Sequence, residues 1–323
     1  MKRFLGVAVR CLVSGLLIFI LAVPASRFIS PRLPLVDITA LPATLAAADP
    51  AALAGAVLLA LASVLFIAGR WWLLVGSRSV PYHFLLRLTF IGIFFNNFLP
   101  TGAGGDLVKG YYLLHGRSGK LDLGLSIVMD RLVGVFSIMT LGYLAVIVNF
   151  DRLPGAAAWT VTAIFLALLF FLLLLAWRGL AVRLARRLGL EGWGRFGALL
   201  KRVYQGGRAY LEEPARLLGS LACSFGSQGL QLAAFYLVAR ALGTPVTFVS
   251  LCAYVPLVWS FALVPSLGGL GARETAYTLF FQGQMGRENA LALGLIILGL
   301  TLTQSLVGGL LYFLGGGRWK TAS

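Results

Sequence analysis

Two short stretches, far apart in the chain, carry the residues best suited to chemistry. Each holds a proline, a small hydroxyl residue, several glycines, and then an acid close to a base. The first contains Pro100, Thr101, Gly102, Gly104, Gly105, Asp106 and Lys109; the second contains Pro265, Ser266, Gly268, Gly269, Gly271, Arg273 and Glu274. Glycines allow tight turns and close backbone approach. A helix that begins just after such a turn offers unpaired N–H groups, which suit an anionic group such as a phosphate. The plainer reading is that the glycines let hairpin tips pack and that Asp106 is a helix cap. Asn96 and Asn97 stand just before the first stretch, where they either cap broken backbone or bind a polar head group.

Three further groups are placed where polarity is costly. Asp130 and Arg131 lie well inside a long apolar run, about 12 Å from its start at 1.5 Å per helical residue. Ionisable groups at that depth face a cavity or a partner. Asp130 is expected to pair with Lys109 or Arg273; a purely structural ion pair is the simpler alternative. Gln228 and Gln231 are three apart and share one helix face. Gln304, with Thr301 and Ser305, forms a similar polar patch. For these glutamines interhelical hydrogen bonding competes with substrate contact.

These residues must be positioned by membrane-spanning helices. Of the 323 residues 59% are hydrophobic and 12% charged, whereas soluble domains carry roughly 25% charged residues. Several apolar runs reach about 20 residues, the length that crosses the hydrocarbon layer. Full spans are expected at about 4–23, 51–75, 122–148, 157–177, 217–242 and 290–314. Trp71 and Trp72 close the second of these, where tryptophan suits the interface. The first resembles a signal peptide but reads as a retained helix, because Arg10 interrupts its apolar core.

The net charge of +16 is concentrated beside the spans, most densely between Arg178 and Arg216. That is the signature of a cytoplasmic loop against anionic lipid and argues against nucleic acid. Leu180, Leu184 and Leu188, with Arg183, Arg186 and Arg187, read either as an interfacial helix or as a solvated basic loop. The three cysteines have no CxxC spacing and only two histidines occur. No metal, cofactor or disulfide framework is expected.

Basic residues, Arg70 among them, place both termini in the cytoplasm. Tyr82–His115 then starts and ends inside, and 246–281 starts and ends outside. Each has one apolar arm, a Pro-Gly tip and a second arm too short to span. The expectation is an all-α polytopic protein of a bacterial inner membrane. It has about six full transmembrane helices plus two oppositely oriented re-entrant hairpins. Residues 1–50 form the first helix and a periplasmic segment. Residues 51–150 (repeat A: helix, hairpin, helix) and 217–316 (repeat B) form an inverted repeat, a recurring plan of secondary transporters. Residues 151–216 connect them through a helix and the basic loop, and 317–323 are a cytoplasmic tail.

Three motifs in order carry a family resemblance: Asn96-Asn-Phe-Leu-Pro-Thr-Gly-Ala-Gly-Gly-Asp106, Met129-Asp-Arg-Leu-Val-Gly134 and Pro265-Ser-Leu-Gly-Gly-Leu-Gly-Ala-Arg-Glu274. They resemble the flippase-like family, also called the lysylphosphatidylglycerol synthase transmembrane region, over nearly the whole chain. Arg70-Trp71 fits as well. The resemblance implies handling or translocation of membrane lipids: phospholipid, aminoacylated lipid, hopanoid or glycolipid. Ser323 follows directly on the last span, so no synthase domain is expected and the chain is not read as an enzyme. The leading expectation is a lipid flippase driven by a gradient, since no nucleotide-binding motif is present. A transferase acting on lipid-linked substrates through Asp106, Asp130 and Glu274, and a non-transporting partner of a lipid-modifying enzyme, are the alternatives.

Overall fold

The computed structural model describes residues 41–76, 80–98, 104–115, 120–149, 153, 155–176, 187, 204–260 and 271–315. Among these there is no strand. The helices are α1 (Leu41–Ala46), α2 (Pro50–Val75), α3 (Tyr82–Phe98), α4 (Gly104–Leu114), α5 (Lys120–Val148), α6 (Gly155–Ala176), α7 (Pro214–Ala241), α8 (Phe248–Ser260), α9 (Ala272–Met285) and α10 (Arg287–Leu314). The expected first helix and most of the 178–216 loop lie outside the described residues.

Local chemistry sets the ends. Asp49 caps α2, its carboxylate accepting the Ala51 N–H at 2.9 Å, and Pro50 takes the first helical position, where no donor is needed. Gly76 stops the helix at φ 96°, a backbone state that other residues resist. Gly286, at φ 76°, is the only residue between α9 and α10.

Five of these helices, α2, α5, α6, α7 and α10, are long and apolar enough to cross a membrane. Their boundaries fall within a few residues of those read from the sequence. Leu58, Val148, Trp159, Leu306 and Phe313 are exposed on them. In water such a surface invites aggregation, whereas lipid covers it without penalty. The chain is therefore a multi-pass helical membrane protein. By contrast α3, α4, α8 and α9 have only 17, 11, 13 and 14 residues.

The centre is an antiparallel pair, α2 against α7. The Asp49 N–H donates to the Ala241 carbonyl (3.1 Å) at one end, and Arg216 donates to the Leu73 carbonyl (3.1 Å) at the other. Ser63 meets Gln231 at 2.9 Å between them. Small residues line the contact; a Cβ on Gly55 or Gly219 would press on Leu237 or Leu73. Close backbone approach of this kind is how helices associate where lipid removes the hydrophobic drive. Around the pair, α3 and α4 pack on each other, α3 on α10, and α4 on α5. Likewise α8 and α9 pack on each other, α8 on α5, and α9 on α10.

Two expectations about α2 need correction. Trp71 is not at an interface: it is 1% exposed, packed with Leu85, Leu88 and Leu113, and its indole donates to Ser126 at 3.2 Å. Arg70 is not a flanking residue either, but a buried member of the helix. Both face α5, whose polar residues give them partners that lipid lacks.

Candidate functional site

A cavity of about 350 Å³ lies among these helices. Its walls come from α2, α3, α4 and α5 on one side and from α7, α8, α9 and α10 on the other.

On the first side the charges are interlocked. Arg70 donates through Nε to Asp130 at 2.7 Å and through Nη1 to Ser224 at 3.0 Å. A Cβ on Gly134 would overlap that guanidinium, so the glycine gives it room. The expected pairing of Asp130 with Lys109 or Arg273 is thus replaced by Arg70, which one helix delivers already buried. Arg131, the next residue, turns away and grips Asp106 with two bonds, of 2.6 and 2.9 Å. Asp106 is the third residue of α4, where a carboxylate also favours the positive end of the helix dipole. It is not the helix cap: the Asn96 carboxamide fills that role, accepting the Gly105 N–H at 2.7 Å.

Lys109 is the exception in this network. Its side chain is 7% exposed and its ammonium stands 4.0 Å from Asp106 and 5.1 Å from the centre of the Trp71 ring. The ring face attracts a cation without accepting its protons. Among the described residues no hydrogen bond reaches the ammonium. Its stem runs across Gly92, where any Cβ would collide with it.

On the second side Glu274 is the third residue of α9 and is buried. Its carboxylate accepts the Gly271 N–H at 2.7 Å. Gly271 has φ 81°, a turn that brings this N–H back toward the helix it precedes. Gly294 of α10 lies against the Glu274 backbone and Tyr277. No salt bridge to Glu274 occurs among the described residues. Trp259, Tyr277 and Arg273 complete this wall.

Amides join the two sides. Gln231 meets Ser63, Gln228 donates to the Gly134 carbonyl at 3.4 Å, and Gln304 donates to the Ala60 carbonyl at 2.6 Å. Asn97 donates to Ser305 at 2.5 Å. The expected interhelical bonding of the glutamines is present, and the same residues line the cavity.

Asn96, Asn97, Lys109, Asp130 and Arg131 therefore reach one cavity with Gln228, Gln231, Arg273, Glu274 and Gln304. Gly105, Asp106 and Gly271 are bonded to lining residues, to Asn96, Arg131 and Glu274 respectively, and Gly104 opens the same helix α4. A Cβ on Gly105 would run into the Gly92 carbonyl, so α3 and α4 cross here only because both residues are glycine. Pro100, Thr101, Gly102, Pro265, Ser266, Gly268 and Gly269 lie outside the described residues. Arg70, Thr89, Ser227, Trp259 and Tyr277 also line the cavity and were not among the site residues expected from sequence. The serines Ser220, Ser224 and Ser227, on the helix of Gln228, were the available signal for a polar face within a span. No group of histidine, cysteine or carboxylate suited to a metal occurs among the described residues.

The family described as Lysylphosphatidylglycerol synthase TM region matches residues 7–308. No curated protein and no solved structure gives a significant match.

Proposed function

Because the chain belongs to the family of the lysylphosphatidylglycerol synthase transmembrane region, we propose that it carries an anionic or amphipathic lipid between the leaflets. The cavity is the head-group path. One observation carries this reading: among the described residues, a cavity lined by the cations Arg70, Lys109, Arg131 and Arg273 and the acids Asp130 and Glu274 sits among helices of membrane-spanning length. Such polarity is expensive inside a bilayer and marks a substrate or ion path.

The helix pairing supports the inverted-repeat plan. Exchanging α2 with α7, α3 with α8, α4 with α9 and α5 with α10 maps each packing among these eight helices onto another. The central pair, α2 and α7, is antiparallel, as repeats of opposite membrane orientation require. Asp106 and Glu274 both occupy the third position of the exchanged helices α4 and α9. In this reading α3–α4 and α8–α9 are re-entrant hairpins that enter from opposite faces. Rocking one repeat against the other opens the cavity to each leaflet in turn. In this reading both termini lie in the cytoplasm and the membrane is a bacterial inner membrane; the basic residues beside the spans support it.

Transport is favoured over transferase chemistry because Asp106 and Asp130 are held by arginines. Carboxylates so engaged are tied into bonds between helices and are not free to meet a substrate. The test is movement of labelled phosphatidylglycerol across vesicles that contain the purified chain. The expected result is acceleration by roughly tenfold or more over protein-free vesicles. Protein-free rates across several lipid classes would overturn the proposal.

A further inference from the structure

Three cavity amides are fixed in orientation by backbone partners. Gln228 and Gln304 each face a carbonyl, so each must present its NH2 to the protein and its oxygen to the other side. Asn96 faces the Gly105 N–H, so it presents its oxygen to the protein and its NH2 to the other side. None of these opposite ends is sealed off, and all three residues line the cavity. The wall therefore offers acceptors at Gln228 Oε1 and Gln304 Oε1 and a donor at Asn96 Nδ2. Glu274, with one oxygen bound to Gly271, adds a buried acceptor.

Few head-group chemistries match such a wall. An ammonium only donates and a bare phosphate only accepts, so each leaves part of the wall unpaired. A hydroxyl does both. Buried polar groups left without partners discriminate strongly between ligands. The buried ammonium of Lys109, with no hydrogen bond among the described residues, supplies the place for a phosphate. Trp259 offers an apolar face on the same cavity.

We infer that the cavity selects a phospholipid whose head group bears hydroxyls, a polyol or sugar phosphate. Lys109 meets the phosphate, and Gln228, Gln304, Asn96 and Glu274 meet the hydroxyls. This rests on the lipid-carrier reading and narrows its substrate.

The test is native mass spectrometry of the full chain in detergent, titrated with equal amounts of phosphatidylinositol, phosphatidylglycerol, phosphatidylethanolamine and phosphatidic acid. The two hydroxyl-bearing lipids are expected to bind more than roughly threefold better than the other two. Gln228→Met is expected to erase most of that preference while leaving phosphatidic acid binding in place, and Lys109→Gln to weaken all four. Ratios within roughly threefold for the wild-type chain, or a preference for phosphatidylethanolamine, overturn the assignment whatever the variants do. Displacement of phosphatidylinositol by an equal concentration of soluble inositol 1-phosphate overturns the choice of a lipid source. Selective binding without lipid movement in vesicles defeats the carrier reading and spares this one; movement without selectivity does the reverse.

Discussion

Arg70 and Asp130 meet at 2.7 Å with side chains only 7% and 6% exposed, tying α2 to α5 in the cavity wall. Ser224 of α7 shares the guanidinium, so three helices depend on one arginine. Replacing Arg70 by Met takes from the buried Asp130 carboxylate its hydrogen-bonded partner, at a cost of about 3–5 kcal/mol. The double variant Arg70→Met, Asp130→Leu is expected to recover much of that loss, because the carboxylate stripped of its arginine is gone as well. Denaturant or thermal unfolding of the purified variants measures both. Equal destabilisation by the single and double changes would show that packing, not charge, sets the effect.

The crossing of α3 and α4 depends on Gly105. Gly105→Ala drives a Cβ into the Gly92 carbonyl and is expected to destabilise by about 1–3 kcal/mol. Gly299 has nothing within 4 Å of a built Cβ. Gly299→Ala is therefore neutral or stabilising, by up to about 1 kcal/mol, through helix propensity. Unfolding curves of the two variants recorded side by side check the contrast.

The antiparallel register of α2 and α7 predicts which cysteine pairs can bridge. In a chain with Cys11, Cys223 and Cys252 replaced, Gly55→Cys with Leu237→Cys is expected to be the pair that oxidises, since these positions face each other, a Cβ at Gly55 meeting Leu237 Cδ1 at 3.1 Å. Gly55→Cys with Gly219→Cys should not, because Gly219 packs on Leu73 near the other end. Non-reducing gels after cleavage between the helices read the result. A parallel arrangement would invert it.

Arg131 separates stability from transport. Its side chain is half exposed, so its bond to Asp106 is expected to contribute under about 1 kcal/mol to folding. Its guanidinium holds Asp106 with two bonds and lines the cavity. Arg131→Gln should therefore slow lipid movement roughly tenfold with little change in unfolding. Arg131→Lys should not restore the rate, because an ammonium cannot reproduce the two-pronged grip. Rates in vesicles and unfolding in detergent, taken on the same preparations, decide this.

Much of this was readable beforehand. Helices α2, α5, α6, α7 and α10 are apolar runs of membrane length, and length with hydropathy sets their bounds to within a few residues. Gln231 and Gln304 were legible as interhelical ties because a polar side chain inside a span needs a partner. The identity of the partners was not legible. Arg70 precedes Asp130 by 60 positions, and nothing local distinguishes a buried arginine near the end of α2 from one that flanks it. Trp71 failed for the same reason: its burial comes from Leu85, Leu113 and Ser126, which arrive from three other helices. A stricter rule, that any ionisable residue inside an apolar run demands a named partner, would have brought Arg70 into the site.

The cavity as lipid path is tested most directly by blocking it. Gln231 is half-buried in its wall, and Gln231→Trp fills space there from the central helix α7. The measurement is the rate of phosphatidylglycerol movement across vesicles that hold wild-type chain or this variant at equal density. The account predicts acceleration by the wild type and a return to nearly the protein-free rate for the variant. Equal rates for the two would contradict it.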